Sequence, residues 1–389
     1  MRVCAVIAEY DPFHNGHMHH LRQSRALTGA DYVLCILSGA FTQRGMPSLV
    51  PIRERTKMAL EGGADAVISL PVSFSCASAE RFAKGAIRIL DSLGVVDFLA
   101  FGCETPDLEL LQRAAHDAQN EPDEQKRLLN QALSRGISYP AAMAGALTES
   151  AHLPDDFLQG ANNMLAMSYL RVLKQLNSPI APVPIRRLGA HNQQNADGFQ
   201  SASFIRKQIE SGVSSSEWDV PPFSRDILET ALQKGALCFP NCLSQALLYR
   251  LNQLSDEDLR QYPDVSEGIE HRILQAAKKA KSTGELLMSV KTKRFSYARL
   301  SRICAYALLD LKKEGLEEYP AYTQLLGFRQ DARMLLRKIH ENSAIPVIAK
   351  PAREKSLLQF DARAAYVRSL GTAIPCRFFE ESPMILRSD

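Results

Sequence analysis

Histidines, a proline and a glycine are concentrated in EYDPFHNGHMHH, residues 9–20, directly after the apolar run VCAVIA. If that run is a strand and Gly16 opens a helix, His14 and His17 lie at the strand-to-helix turn. The N-terminus of a helix carries partial positive charge and free N–H groups, so it favours an anion. Two imidazoles there can donate hydrogen bonds to a phosphate and to the charge that develops as pyrophosphate leaves. The stretch therefore predicts a phosphate site.

The same histidines admit two other interpretations. One is a metal site made by His14, His17 and either His19 or His20, but no carboxylate follows in the order of the H-E-x-x-H pattern. The other is a solvated helix start with incidental histidines, which is the interpretation that we favour for His19 and His20. His14 and His17 coincide with a strand end, where a ligand is expected, and no metal ligand is predicted.

A second candidate is SASFIR, residues 201–206, a serine-rich turn ahead of a predicted helix. Serine at a helix N-cap is an ordinary way of satisfying free N–H groups. Placed after the last strand of a sheet, the hydroxyls of Ser201 and Ser203 can instead hold a phosphate, with Arg206 as a charged clamp.

The elements that must position these residues alternate along the chain. Apolar runs at 3–10, 32–39, 65–72 and 96–102 are separated by stretches with helical spacing, and 180–190 adds a further strand. Such alternation predicts an α/β fold with a parallel sheet, whose ligands bind at the carboxyl ends of the strands. From about residue 216 the pattern is helix after helix. We therefore predict two domains, residues 1–212 and 220–389, joined by a linker at 212–222.

Composition limits the class of protein. With 389 residues, 46% of them hydrophobic, the chain can bury a substantial core, and no apolar run approaches the length of a membrane span. Eight dispersed cysteines are typical of reduced thiols, so we expect a soluble, cytoplasmic protein. The net charge is only +3, but residues 272–313 carry eleven Lys/Arg against two acids. This segment predicts a partner with a phosphate backbone.

Longer strings resemble a known family. HNGH matches the H-x-G-H motif of the nucleotidylyltransferase superfamily and SASFIR loosely matches its serine motif. EYDPFHNGH, SGAFTQRG, RTKMALEGGADAVISLP, GANNML, EGIEHRI, SVKTKRFSYARLSRI and LLGFRQDARMLLRKI resemble the bacterial tRNA(Met) cytidine acetate ligases over nearly the whole chain. The resemblance implies a Rossmann-like nucleotidylyltransferase domain followed by an α-helical, tRNA-binding domain.

It also implies a reaction. Such enzymes use ATP, with Mg²⁺ as the expected counter-ion, to convert acetate to acetyl-adenylate and pyrophosphate. They then pass the acetyl group to N4 of the wobble cytidine of elongator tRNA(Met) and release AMP. Two alternatives stay open: a nucleotidylyltransferase acting on a small coenzyme precursor, and a non-catalytic RNA-binding protein that keeps a nucleotide site as a sensor.

The residues expected to act follow from the resemblance and the local chemistry. The catalytic residues would be His14, His17 and Arg206. The expected ATP contacts are Ile7, Ala8, Glu9, Tyr10, Asp11, Pro12, Phe13, His14, Asn15, Gly16, His17, Met18, His19, His20, Gly102, Asn162, Arg187, Ser201 and Ser203. The acetate side would be closed by Ser38, Gly39, Gln43 and Arg44. The tRNA phosphates would be held by Lys291, Lys293, Arg294, Arg299 and Arg302, with Phe295 and Tyr297 either stacking on a base or packing in a helix core.

Overall fold

The computed structural model describes residues 1–135, 139–188, 199–266, 268–292 and 294–387. The strands are β1 (Val3–Ala8), β2 (Tyr32–Ser38), β3 (Ala66–Leu70), β4 (Phe98–Cys103), β5 (Ala181–Arg186), β6 (Thr323–Arg329), β7 (Val347–Ile348) and β8 (Met384–Leu386). The first nine helices are α1 (Asn15–Thr28), α2 (Ile52–Glu61), α3 (Val72–Ser75), α4 (Ala79–Ser92), α5 (Leu108–Asn120), α6 (Asp123–Ser134), α7 (Tyr139–Ser150), α8 (Ala161–Gln175) and α9 (Ala202–Glu210). The others are α10 (Pro222–Gln233), α11 (Ser244–Asn252), α12 (Asp256–Arg260), α13 (Ile269–Ala277), α14 (Thr283–Val290), α15 (Tyr297–Leu309), α16 (Arg333–Asn342) and α17 (Gln359–Ser369).

One sheet runs through the molecule in the order β5-β4-β1-β2-β3-β6-β7, with β8 pairing β6. The first five strands are parallel, as the alternation of apolar runs and helices predicts, and the α/β fold is confirmed. The chain leaves β1 toward β2 on one side and returns as β4 on the other. Ligands bind where the strand order reverses in this way, so the expected site lies at the carboxyl ends of β1 and β4.

Helices cover both faces of the sheet, which explains why its central strands are apolar throughout. Val3 and Ala5 pack with α4, α5, α8 and α16 on one face. Cys4 and Val6 pack with α1, α2, α9 and α10 on the other. Since neighbouring strand residues point to opposite faces, each residue of β1 contributes to one of two cores.

The chain after residue 220 is helical from α10 to α15, but its later part returns to the sheet. β6 pairs antiparallel with β3, and β7 and β8 pair parallel with β6. Short strands flanked by long helical stretches give a weak periodic signal, so sequence patterning placed this region in a mainly helical domain and did not locate its strands. The boundary between two domains stays a prediction, because the sheet takes strands from both sides of it.

The helical region packs directly on the loop that follows β2. Phe41 joins the core formed by α11, α13, α14 and α15, and Ser301 Oγ donates to the carbonyl of Gly45 at 3.1 Å. None of the helices in the described ranges has the length and apolar character needed to cross a membrane.

The contact between this loop and α15 leaves no room for a side chain at Gly45. Its φ is +77°, and a Cβ there would lie 2.6 Å from Cα of Arg302. Gly212 has a similar φ of +72° and nothing within 4 Å, so Gly212→Ala reports backbone strain alone. We expect Gly45→Ala to lower the free energy of unfolding by about 1–3 kcal/mol more than Gly212→Ala, because it adds overpacking. Urea denaturation of both variants measures this difference, and equal losses would contradict the packing described here.

Candidate active site

A cavity of about 330 Å³ opens at the carboxyl ends of β1, β4 and β5, where the strand order reverses. This volume lies within the range of small-ligand sites. The cavity brings together eighteen of the residues predicted to bind ATP or acetate or to act in catalysis: Ile7, Ala8, Glu9, Tyr10, Asp11, His14, Gly16, His17, His19, His20, Gln43, Arg44, Gly102, Asn162, Arg187, Ser201, Ser203 and Arg206.

His14 and His17 form the cap of α1. His14 is the N-cap residue, and its Nδ1 accepts the Gly16 N–H at 3.1 Å, while His17 Nδ1 accepts the His14 N–H at 3.3 Å. The two rings stack with centroids 3.6 Å apart. Because a backbone N–H can only donate, both Nδ1 atoms must be acceptors, and the ring proton of each neutral imidazole is on Nε2. Both histidines are therefore hydrogen-bond donors.

Burial keeps these imidazoles neutral. Burial, with the positive charges of Arg187 and Arg206 in addition, lowers the pKa of His14 to about 3. Burial, followed by the neighbouring His14 and Arg187, also lowers the pKa of His17 well below its usual range. His14 Nε2 is enclosed and has no hydrogen-bond partner among the described residues. A buried donor without an acceptor is costly, and a phosphate oxygen would satisfy it.

His19 and His20 also line the cavity, which favours their role as ATP contacts over that of incidental, solvated residues. His19 contacts the ring of Phe199, and burial lowers the pKa of His20 to about 4. Both reach the cavity because α1 runs along its wall for more than one turn. Gly102 faces His20: a Cβ there would lie 4.0 Å from His20 Cδ2, toward the open space.

Arg206 is held at the cavity wall by Asp11. Its Nη1 donates to the Asp11 carbonyl and to Oδ2, the latter at 3.3 Å, while Asp11 Oδ1 accepts the Leu49 N–H at 2.6 Å. The carboxylate of Asp11 is therefore fully engaged. Ser201 caps α9 by accepting the Phe204 N–H at 3.3 Å, and its hydroxyl lies 3.0 Å from that of Ser203. Capping and cavity lining are thus compatible roles of one serine turn.

Glu104, which the sequence analysis did not single out, organises the opposite wall. Its carboxylate accepts the Asn163 N–H at 2.8 Å and the Asn162 side chain at 2.6 Å, and Asn162 Oδ1 accepts from Arg187 Nη1 at 3.2 Å. Gly160 makes this possible, since a Cβ there would lie 2.7 Å from Glu104 Oε2. The sequence signal that could have identified Glu104 is its position directly after β4, at the end of the string FGCE.

Glu9 connects β1 to the loop after β2. Its Oε1 accepts the Gln43 N–H at 2.6 Å, and the loop closes on itself through the Thr42 N–H and the Met46 carbonyl at 2.9 Å. Burial raises the pKa of Glu9, and Asp11 raises it further, whereas the Gln43 hydrogen bond, Arg206 and Arg44 lower it.

Arg55 of α2 lies beneath this loop and is fully buried. Its Nη1 donates to the carbonyls of Glu9 and Ser38, both at 2.9 Å, its Nη2 donates to the Gly39 carbonyl, and its Nε donates to the Val50 carbonyl at 3.3 Å. One side chain thus joins the carboxyl ends of β1 and β2.

Six predicted ligand residues do not line the cavity: Pro12, Phe13, Asn15, Met18, Ser38 and Gly39. Phe13 is buried in the core below α1, and Asn15 donates to Asp219 Oδ1 at 2.6 Å. The carbonyls of Ser38 and Gly39 are occupied by Arg55. Asp219 also accepts the Gln200 N–H at 2.7 Å, so the segment predicted as a linker holds both the start of α1 and the turn before α9. Sequence proximity to a motif does not fix the direction in which a side chain points.

Comparison with known proteins agrees with this geometry. The family model described as HIGH nucleotidyl transferase matches residues 1–378. The tRNA(Met) cytidine acetate ligase of Acetivibrio thermocellus is 39% identical over 368 residues, covering 90% of this chain and 88% of that protein. That of Clostridium perfringens is 38% identical over 389 residues, covering 95% of each. The chain belongs to the tRNA(Met) cytidine acetate ligase family.

Solved structures support the same conclusion. The crystal structure of Thermotoga maritima TmcAL bound with alpha-thio ATP has a TM-score of 0.89 at 29% identity, and the apo form has a TM-score of 0.90 at 29% identity. Each comparison covers 100% of both chains. The family and the fold predicted from the motifs are thus confirmed, and the protein is an enzyme of the ligase type.

The basic segment of this family member is only partly exposed. Lys291 and Arg294 are exposed, whereas Arg302 donates to Asp264 Oδ2 at 2.6 Å and its side chain is 12% exposed. Arg299 donates to the Asp264 carbonyl at 3.0 Å and to Ser266 Oγ at 2.8 Å. Lys293 lies outside the described residues.

The aromatic residues of this segment belong to the protein core. Phe295 is 4% exposed and Tyr297 packs against the same cluster, which excludes the stacking interpretation for Phe295 in this conformation. Among the described residues, no group of three or more His, Cys, Asp or Glu could hold a metal ion.

The neutral state of His14 predicts a pH dependence of stability. The unfolded histidine binds a proton below about pH 6.5, whereas the folded one stays neutral down to about pH 3. Stability is therefore lost as the pH falls from about 6.5, by about 2 kcal/mol at pH 5. His14→Asn keeps an acceptor for the cap and removes this titration. We expect its free energy of unfolding, measured in urea at pH 7.5 and 5.0, to fall less than that of the wild type, and an equal fall would contradict the assignment.

Proposed function

We propose that the protein acetylates N4 of the wobble cytidine of elongator tRNA(Met), using acetate and ATP through an acetyl-adenylate and releasing pyrophosphate and AMP. The observation that carries this proposal is the pair of imidazoles fixed as neutral donors at the start of α1, beside Arg187 and Arg206, in a chain of this family. We place the reaction in the cytoplasm, where mature tRNA is used.

In the first step a carboxylate oxygen of acetate attacks the α-phosphorus, and the bond to pyrophosphate breaks. Acetate is already an anion, so this attack needs no base. The negative charge that grows on the phosphates would be stabilised by the Nε2–H donors of His14 and His17 and by the free N–H groups of α1. Arg206 and the serine turn at 201–203 would hold the distal phosphates.

Mg²⁺ would enter with the triphosphate, whose charge it neutralises. Two nearby carboxylates already have partners: Asp11 accepts from Leu49 and Arg206, and Glu104 accepts from Asn162 and Asn163. Mg²⁺ commonly keeps several waters and binds mainly through substrate phosphates, which fits a cavity with few free carboxylates.

The acetate side of the cavity is proposed to be the loop that carries Gln43 and Arg44. Both side chains line the cavity, and Arg44 offers a positive charge to an anion. Ser38 and Gly39, expected in the same role, serve instead as acceptors for Arg55.

The tRNA would approach along the α14–α15 region, which carries exposed Lys291 and Arg294. This region rests on the acetate-side loop through Ser301 and Gly45, so bound RNA would lie near the cavity mouth. The cytidine is stacked in the anticodon loop and would have to be turned out to reach the acetyl group.

The proposal is tested by incubating the protein with ATP, radiolabelled acetate and an elongator tRNA(Met) transcript, then digesting the RNA. We expect label in N4-acetylcytidine that disappears when ATP is omitted. Pyrophosphate release with another small substrate and no labelled RNA would favour action on a coenzyme precursor. ATP binding without any pyrophosphate release would favour a sensor.

Removing one donor should slow the first step. We expect His14→Asn and His17→Asn each to lower acetate-dependent ATP–pyrophosphate exchange by about 10²–10³-fold, the usual effect of losing one donor to a developing charge. Filter binding to tRNA should remain near the wild-type value, since neither residue lies on the basic surface. Lys291→Ala is the matched control, with exchange retained. Survival of exchange in both histidine variants would contradict the assignment.

The exposed and the paired cations should differ in their effect on RNA binding. Lys291→Ala should weaken binding modestly and reduce the slope of log affinity against log salt concentration by about 1, because one phosphate contact is lost. Arg302→Lys, at a residue already bound to Asp264, should leave that slope unchanged. Titrations at several salt concentrations measure both slopes, and a reduced slope for Arg302→Lys alone would place the RNA surface elsewhere.

A further inference from the structure

Transfer of the acetyl group needs a proton acceptor that the first step does not. N4 of cytidine attacks the acetyl carbonyl carbon, and the bond from that carbon to the phosphate oxygen breaks, with its electron pair leaving on AMP. The nitrogen then carries one proton too many, and this proton must pass to a base within hydrogen-bond reach.

His14 and His17 cannot accept it. Nδ1 of His14 and Nδ1 of His17 each already accept a backbone N–H, so their Nε2 atoms carry the ring protons. His20 Nε2 is enclosed and has no hydrogen-bond partner among the described residues. His14 and His17 therefore remain donors through both steps.

Two of the carboxylates are equally unavailable. Asp11 accepts from Leu49 through one oxygen and from Arg206 through the other. Glu104 accepts from Asn162 through Oε1 and from Asn163 through Oε2. A proton placed on either would break a hydrogen bond that positions Arg206 or Asn162.

Glu9 is different. Its Oε1 accepts the Gln43 N–H at 2.6 Å, and in the described part of the chain its Oε2 has no hydrogen-bond partner. The side chain lines the cavity at the end of β1 and is partly exposed to it. Its backbone carbonyl accepts from Arg55 Nη1 at 2.9 Å, so both the backbone and the side chain of Glu9 are held in place.

The position of Glu9 also suits the second substrate. Gln43, its partner, belongs to the loop that rests on α15, the helix next to the exposed basic residues. A base turned out of bound RNA would enter the cavity past this loop. Glu9 therefore lies beside the loop past which the amine would arrive.

We propose that Glu9 is the general base of acetyl transfer: its Oε2 accepts the proton of the cytidine N4 amine as the acyl–phosphate bond breaks. This inference deepens the proposed function and rests on it.

The charges around Glu9 suit this task. Burial is the largest influence and raises its pKa, and Asp11 at the same strand end raises it further. Arg206 of α9 and Arg44 of the loop lower it, while Arg55 of α2 and Tyr169 of α8 also face it. A carboxylate with a raised pKa is a stronger base than an ordinary one, and efficiency is greatest when the pKa approaches the working pH.

The test separates the two steps in Glu9→Gln, which keeps an oxygen to accept the Gln43 N–H. Adenylation is followed by acetate-dependent ATP–pyrophosphate exchange, and transfer by rapid mixing of enzyme-bound acetyl-adenylate with tRNA. We expect the ratio of transfer rate to adenylation rate to fall by about 10²–10⁴-fold, as for loss of a general base. The wild-type transfer rate should rise with pH through the pKa of Glu9, and this rise should vanish in Glu9→Gln and persist, at a lower rate, in Glu9→Asp.

Glu104→Gln is the matched control, since it alters a cavity carboxylate that positions ATP-side residues. It should lower both steps together and keep the pH dependence of transfer. An unchanged ratio in Glu9→Gln, or a retained rise with pH, would overturn the role of Glu9. Failure of the wild-type protein to exchange pyrophosphate with acetate would instead overturn the proposed function, so the two failures are distinguishable. A Glu9→Gln protein that does not fold leaves Glu9→Asp to decide: loss of its pH dependence would also overturn the role.

Discussion

The buried guanidinium of Arg55 is the interaction on which the cavity depends. A charge away from water is costly unless its donors are satisfied, and burial lowers the pKa of Arg55 to about 10, still well above neutrality. Its partners are four backbone carbonyls, those of Glu9, Ser38, Gly39 and Val50, and not a carboxylate. Two strands that are adjacent in the sheet are thereby joined at their carboxyl ends, where the chemistry takes place. Any shift of α2 would move Glu9 and the loop that carries Gln43 together.

A second buried arginine extends this arrangement to the C-terminal part of the chain. Arg368 of α17 donates to the carbonyls of Ser48 and Leu49, both at 2.7 Å, and to that of Ala236 at 2.9 Å. The loop after β2 is therefore held by helices from distant parts of the sequence. Together with α15 beneath Gly45, these contacts make the C-terminal half a structural part of the cavity. The α14–α15 region and the loop that carries Gln43 and Arg44 are consequently in direct contact.

Periodicity and motifs were sufficient for the parts of the structure that depend on local sequence. Alternating apolar runs predicted the five parallel strands, and the HNGH stretch predicted the strand-to-helix turn at the start of α1, because both depend on neighbouring residues. The return of β6 to the sheet, the role of Glu104 and the pairing of Arg302 with Asp264 depend on contacts between residues far apart in sequence. The direction of a side chain could likewise not be predicted from the sequence. Phe13 and Asn15 belong to the histidine-rich stretch, but Phe13 points into the core and Asn15 points toward Asp219. Sequence therefore located the site, whereas the fold decided which of its residues face the ligand.

The two steps of the proposed reaction need opposite protonation states of Glu9 in one cavity. The negative charge that the substrates bring changes between the steps and can switch that state. In the first step acetate and the triphosphate bring several negative charges beside Glu9, which favours its protonated form, and a neutral Glu9 does not repel acetate. Adenylation consumes the charge of acetate, and pyrophosphate carries most of the remainder away. The field that held the proton on Glu9 then weakens, so its pKa falls back toward the value that burial, Gln43, Asp11, Arg206 and Arg44 set in the protein alone, and the proton passes to solvent. The base thus becomes available only after the intermediate that needs it has formed, while the histidine donors, already committed through Nδ1, serve both steps without changing their protonation.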